Sequence, residues 1–284
     1  LKALILLLVT ISLFSHAKVL PPSKFKVLSP TVDQLRDVDL FNLLLTRSLD
    51  VTTTKYGEYE IDYRFFDVYQ NRSMRMLQSG ELDIMYVMTN KEREAQYLAV
   101  KFPLVKGLLG HRLIVVNREN LSQYQGISKE QLSQKVACQG THWPDTQILE
   151  ANQFNVVKVL NLESMYKMLD KGRCDYFPRS VLEVNSELER FAKVHPRLAI
   201  VKDVMLVYPA PVYFFVKKSN QALAKRLLDG LTILSDSGEM EKLLVSQPLT
   251  KHVFPLSQWQ EVKQIHLFNP NLESSTKSIL PTHW

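Results

Sequence analysis

A short self-similarity constrains this chain more than any other feature. Met76-Leu77-Gln78-Ser79-Gly80-Glu81-Leu82-Asp83 and Met168-Leu169-Asp170-Lys171-Gly172-Arg173-Cys174-Asp175 both read M-L-x-x-G-x-x-D, 92 residues apart. A helical stretch precedes each glycine. In the second copy Leu162, Met165, Tyr166 and Leu169 recur at i, i+3, i+4 and i+7, the spacing of one apolar helical face. Gly80 and Gly172 suit the left-handed position that ends a helix. A short apolar run follows each glycine, at 84–88 and 176–178, and a strand candidate lies upstream of each helix, at 59–66 and 155–160. The order β-α-β therefore occurs twice, which predicts two α/β lobes with mostly parallel sheets and right-handed crossovers.

Further strands are predicted at 25–29 and 135–139, opening the two lobes. The apolar run at 107–116 reads as an extended crossing between them. A second β-rich stretch at 211–217 leads into a helix over 221–235, with Leu223, Leu227, Leu231 and Leu234 on one face and a stop near Gly238. Two crossings between two lobes make a hinge, with a cleft at the carboxyl ends of the strands. The resulting organisation is a leader at 1–17, lobe 1 at 18–111, lobe 2 at 112–213, a return to lobe 1 at 214–247, and a tail at 248–284 expected to pack on lobe 1.

The leader has Lys2, an apolar run from Ala3 to Phe14, and Ser15-His16-Ala17. It reads as a secretory signal peptide cleaved after Ala17, which implies an exported protein that is not membrane-embedded when mature. With 45% hydrophobic residues the chain can bury a core, so a disordered protein is excluded. The formal charge of +6 is dispersed, with no basic tract interleaved with aromatics, which argues against nucleic acid as partner. A monomer is expected.

The chain lacks G-x-S-x-G, H-E-x-x-H, C-x-x-C and a glycine-rich phosphate loop, so a binding protein is favoured over an enzyme, hydrolytic or metal-dependent. No cofactor, metal site or catalytic residue is assigned. Two cysteines are too few for a multi-thiolate metal site. Cys138 and Cys174 are expected on neighbouring parallel strands, staggered by about three residues or about 10 Å. That separation is too long for a disulfide, which predicts two buried free thiols.

Several segments resemble the extracellular solute-binding family 3, the periplasmic proteins that serve polar amino-acid ABC transporters, in a divergent gammaproteobacterial branch. Asn90-Lys91-Glu92-Arg93 is similar to the family's T-P-E-R, and Lys101-Phe102-Pro103-Leu104 to the F-S-x-P-Y that follows. Gly140-Thr141 resembles the G-T turn heading the second lobe, and Gly172-Arg173-Cys174-Asp175 the G-R-x-D motif. The resemblance implies a type 2 periplasmic-binding clamshell that closes on a small solute and presents it to an ABC transporter permease. A membrane sensor is the alternative partner, for a clamshell that signals without delivering solute.

The resemblance also implies a site. Arg93 falls where the family's arginine grips a ligand carboxylate, and Gly140, Thr141 and the following amides fall where the same group is held at a helix start. Asp145 in that first turn would repel a carboxylate unless it met a ligand amine. Where the family usually carries an aspartate for the amine, this chain has Pro178-Arg179-Ser180. Arg93 and Arg179 approaching from opposite lobes would favour an anionic solute. The other reading of Arg179 is a pair with Glu183. Tyr86 and Trp143 are candidate cleft walls, and Thr89 and Asn90 complete the ligand-binding set.

Overall fold

The two repeat copies fold alike. In the computed structural model, which describes residues 21–29, 40–65 and 70–273, the first lobe begins β1 (Ser23–Ser29), α1 (Leu40–Asp50), α2 (Thr53–Tyr56), β2 (Tyr59–Phe65). It continues α3 (Gln70–Ser79), β3 (Ile84–Met88), α4 (Lys91–Gln96), β4 (Leu98–Val100). The chain then crosses into β5 (His111–Asn117), α5 (Lys129–Ser133), β6 (Val136–Gly140), α6 (Pro144–Ala151) and β7 (Asn155–Val159). The second lobe goes on through α7 (Leu162–Asp170), β8 (Tyr176–Ser180), α8 (Val184–Phe191) and β9 (Leu198–Val207). A second crossing returns to β10 (Val212–Val216), α9 (Gln221–Asp236) and α10 (Glu239–Ser246), and the tail adds β11 (Lys263–His266). The leader expected over 1–17 lies outside the described residues, as does the tail beyond 273. Among the described residues no helix is long and apolar enough to cross a membrane.

The strands form two sheets, β2-β1-β3-β10-β4 and β11-β9-β5-β8-β6-β7. Within each, the repeat-bearing strands are parallel, and the strands that follow the crossings, β5 and β10, run antiparallel to their neighbours. The repeat signature has a physical reason. Gly80 and Gly172 take φ of +80° and +65°, ending α3 and leading out of α7, where a side chain would be strained. Three residues later the aspartate clips the next strand to its neighbour. The Asp83 carboxylate accepts from the Lys26 amide at 2.8 Å while its own amide donates to the Lys26 carbonyl at 2.8 Å. Asp175 makes the same two bonds with Val136, both at 2.7 Å.

Both sheets are apolar on their packed faces. Val27, Ile84, Phe214 and Val216 are buried in the first, and Ile114, Val116, Ala137, Tyr176 and Phe177 in the second. Each buried valine, isoleucine or phenylalanine among them contributes about 1.5–3 kcal/mol. Helix α9 lays Leu223, Leu227, Leu231 and Leu234 into this core, as its period predicts. Strand β9 had no sequence signal. Its Lys202 and Asp203 are exposed at a register shift against β5, between Leu113 and Ile114, which breaks the alternation that marks a strand.

One expectation fails. Cys138 and Cys174 are joined in a disulfide, with Cα atoms 5.6 Å apart, instead of standing as free thiols. The stagger itself is present, since Ala137 lies opposite Tyr176. Strand geometry does not extend back to Cys174, which sits in a bend before β8 and reaches Cys138. The tail adds β11 in parallel to β9, at the edge of the second sheet, pairing Lys263–His266 with Val204–Val207, and then returns to the start of α4.

The two crossings touch. The Tyr208 amide donates to the Gly110 carbonyl at 3.1 Å, and a Cβ on Gly110 would lie 1.9 Å from the Tyr208 carbonyl oxygen, so only glycine admits this approach. Beside it, His111 is buried, and burial pushes its pKa down to about 4.

Two outcomes are expected. The disulfide closes a 36-residue separation, so replacing Cys138 and Cys174 by serine should lower the unfolding free energy by on the order of 3–4 kcal/mol in urea titrations. Between the ordinary histidine pKa of about 6.5 and the folded value, the unfolded chain takes up a proton at His111 that the folded chain refuses. Stability should therefore fall as pH drops through that window, by roughly 2–3 kcal/mol at pH 4.5. The His111→Gln variant should lack this component of the slope.

Candidate functional site

The first-lobe half of the cleft is built at the end of β3. Asn90 has an extended backbone and caps α4 by accepting from the Arg93 amide at 2.8 Å. Arg93 is thereby fixed in the first turn of α4. Its guanidinium is buried, donating to the Met88 carbonyl and, at 3.1 Å, to Gln70 Oε1. Burial lowers its pKa to about 10, with Asp145 pulling the other way, so it stays a cation at neutral pH. Thr89 is fully buried. Its hydroxyl donates to Glu94 Oε1 at 2.8 Å and its amide to the Pro211 carbonyl on the second crossing.

The second-lobe half grows out of β6. Gly140 ends the strand, and the Trp143 indole lies so close over it that a Cβ there would meet the ring at 2.4 Å. Pro144 opens α6 at its first position, where the missing amide costs nothing. The amides expected to face an anion are partly spent. That of Thr141 donates to the Val159 carbonyl at 2.9 Å, and that of Trp143 to the Gly140 carbonyl at 3.0 Å.

Between these halves lies a cavity of about 280 Å³. From α3 it is lined by Asn71, Met74 and Arg75, and from α4 and its flanks by Asn90, Glu92, Arg93, Gln96 and Tyr97. From the second lobe come Thr141, His142, Trp143, Pro144 and Gln147. Both lobes thus contribute. The wall is polar and carries Arg75 and Arg93 against Glu92, which leaves a net positive charge for an anionic group.

Of the sequence-predicted residues, Asn90, Arg93, Thr141 and Trp143 line this cavity, and Tyr86, Thr89, Gly140, Asp145 and Arg179 do not. Tyr86 stacks on Phe41 of α1, with ring centroids 4.2 Å apart. Arg179, 4% exposed, is clamped inside the second lobe. Its Nε donates to Glu187 Oε2 at 2.7 Å, its Nη2 meets Glu187 Oε1 at 2.5 Å and Glu183 Oε2 at 2.9 Å, and it lies over the Trp143 and Phe177 rings. Burial works against its charge, but Glu183 and Glu187 outweigh it and hold the pKa well above the ordinary value. The pair with Glu183 is present, and Glu187, shared with the Tyr166 hydroxyl at 2.7 Å, is the stronger partner.

Asp145 also turns inward. Its Oδ1 accepts from Arg112 Nη2 and from the Tyr208 hydroxyl, both at 2.6 Å, and the carboxylate is 5% exposed. Arg112 stands on the first crossing and Tyr208 on the second, so one carboxylate joins α6 to both. Sequence reasoning missed Arg112, Tyr208, Glu187 and Arg75. A lone arginine inside the apolar run at 107–116 was a usable signal for Arg112. The i, i+3, i+4 set of Asn71, Met74 and Arg75 was one for the α3 wall.

At the level of sequence, no family model and no curated protein matches the chain. Solved structures do match in fold. An ancestral arginine-binding protein bound to arginine superposes with a TM-score of 0.56 at 17% identity, covering 80% of this chain and 98% of that one. The GluR0 ligand-binding core from Nostoc punctiforme in complex with L-glutamate gives 0.55 at 16%, covering 79% and 99%. A histidine kinase sensor domain with similarity to periplasmic binding proteins gives 0.55 at 18%, covering 73% and 85%. The fold is therefore the two-lobed clamshell of the type 2 periplasmic-binding proteins.

Removing the Asp145 carboxylate leaves Arg112 buried without its main partner. Asp145→Ala should cost about 3–5 kcal/mol in denaturant titrations, whereas joint replacement of Asp145 by Leu and Arg112 by Met should cost much less.

Proposed function

We propose that the protein binds a small, polar, anionic or amino-acid-like solute in the interlobe cavity and delivers it to an ABC-type transporter permease from the periplasm. The reading rests on one observation above the rest: both lobes line the same polar cavity, and a buried arginine at the start of α4 forms part of its wall. A cavity of about 280 Å³ lies at the small end of ligand sites and suits a solute of amino-acid or dicarboxylate size. Closure follows from the site's division between lobes, since a ligand that touches both is bound better closed than open. In this reading Arg93 and Arg75 supply the positive field and Asn90, Thr141 and Gln147 the neutral hydrogen bonds, with Trp143 as one wall. In the same reading Arg179 is not a ligand group, because its Nε and Nη2 already meet carboxylates of the same chain. The segment boundaries at residues 111, 213 and 247 and membership of solute-binding family 3 belong to the same proposal.

A sensory clamshell acting through a separate membrane protein is the second reading, supported by the fold likeness to a kinase sensor domain. Both readings need solute binding, so that is tested first. Melting curves with L-glutamate, L-glutamine, L-arginine, succinate and glucose should reveal at least one stabilising solute. The expected gain is about 2.7 kcal/mol when it is present at a hundred times its Kd. The Arg93→Met variant should lose that shift while remaining folded, and Arg179→Met should bind normally if it folds. Absence of any shift across amino acids, dicarboxylates and sugars would sink the solute-binding reading. Stimulation of permease ATP hydrolysis by the loaded protein would favour delivery over sensing.

A further inference from the structure

The chain crosses between its lobes again after the second hinge crossing. From α10, which packs on α9 and α1, the tail passes to β11 on the second sheet and then turns back. On the way out it is tied to the second lobe by His252 Nε2, 2.7 Å from the Val181 carbonyl. The return is short and densely bonded. The Leu267 amide donates to the Val207 carbonyl at 2.8 Å, continuing the ladder of β11. Asn152, at the carboxyl end of α6, then grips Phe268 twice, donating to its carbonyl at 2.7 Å and accepting from its amide at 3.0 Å. Asn269 Nδ2 donates to the Pro209 carbonyl on the second crossing at 2.7 Å, and Asn269 Oδ1 accepts from the Asn271 amide at 2.9 Å. Finally the Asn271 carbonyl accepts from the Lys91 amide at 2.8 Å.

Lys91 is the first residue of α4, two residues before Arg93, and Asn152 caps the helix whose other end lines the cavity. We propose that residues 268–271 are a third hinge strand, a strap that joins the two helices of the candidate site and limits how far the lobes part. Geometry sets the limit. Phe268 is held to α6 and Asn271 to α4, and three residue steps reach about 10 Å when fully extended. Opening that carries the start of α4 farther from the end of α6 must break these bonds. A two-crossing hinge allows rotation about one axis and twist around it, and a third attachment with so little slack removes much of that freedom. The strap also positions Arg93, because the bond it makes is to the first amide of Arg93's own helix.

This inference concerns the motion of the lobes and is measurable without any ligand, so it stands or falls separately from the solute-binding reading. Spin labels at Glu60→Cys on β2 and Lys167→Cys on α7, both exposed, report the interlobe distance in the full chain. Two changes loosen the strap. Four glycines inserted between Phe268 and Asn269 add about 13 Å of reach and leave every bonded side chain in place. Asn152→Ala with Asn269→Ala removes the side-chain grips. In either folded variant the distance distribution should widen by several ångströms toward longer values relative to the unaltered strap. Distributions that superpose on it would overturn the proposal. Hydrogen exchange on the unmodified protein gives an independent reading that needs no variant. The Lys91 amide should be protected at least a hundredfold, and an unprotected Lys91 amide would equally overturn it.

Discussion

The carboxylate of Asp145 is the contact on which the rest of the cleft depends. It is buried in the first turn of α6, where a negative charge is favoured by the helix dipole, and it faces the one arginine and the one tyrosine that the two crossings bring beside each other. A buried ion pair adds little net stability over an apolar pair, because both charges must be stripped of water. What it supplies is direction. Arg112 Nη2 and the Tyr208 hydroxyl reach this carboxylate only with α6 in this orientation, and α6 carries the second-lobe wall of the cavity. Gly110 permits the arrangement by letting the crossings touch.

The same economy governs the rest of the second lobe. An arginine at the end of a parallel strand is exposed to ligand in principle, yet Arg179 is neutralised from within by Glu187 and Glu183 and sandwiched against two aromatic rings. Its place beneath Trp143 makes it part of the support for the indole that lines the cavity. The cationic groups that line the cavity lie in the first lobe, on α3 and α4, and of these Arg93 is the buried one. In the proposed site, charge would thus be met by one lobe, while the other contributes neutral polar groups and an aromatic wall.

Much of the fold was legible because it rests on local rules. The helices of the repeat, the glycines that end them and the strands that follow are set by spacing within about a dozen residues, whereas Arg93 and Thr141 were pointed to by the resemblance alone. The Arg179–Glu183 pair was legible as an i, i+4 spacing, whereas the partners of Arg112 and Asp145 were not, since they depend on which side chains the folded sheet brings together from tens of residues away. Strand β9 escaped because an exposed lysine and aspartate interrupt its alternation where its pairing shifts. The disulfide was hidden for a related reason: Cys174 lies in the bend before β8, where strand spacing does not hold.

The repeat aligns more than its glycine and aspartate. Counting back from each clip, Cys138 corresponds to Leu28 and Cys174 to Leu82, and those two leucines belong to one apolar cluster of the first lobe. One jaw of the clamshell is thus closed at this point by a hydrophobic contact and the other by a covalent bond. The jaws should consequently differ in compliance. A reducing environment would soften the half that carries Thr141 and Trp143 and leave the half that carries Arg93 unchanged, so the mechanical symmetry of the two lobes is conditional on the redox state around them.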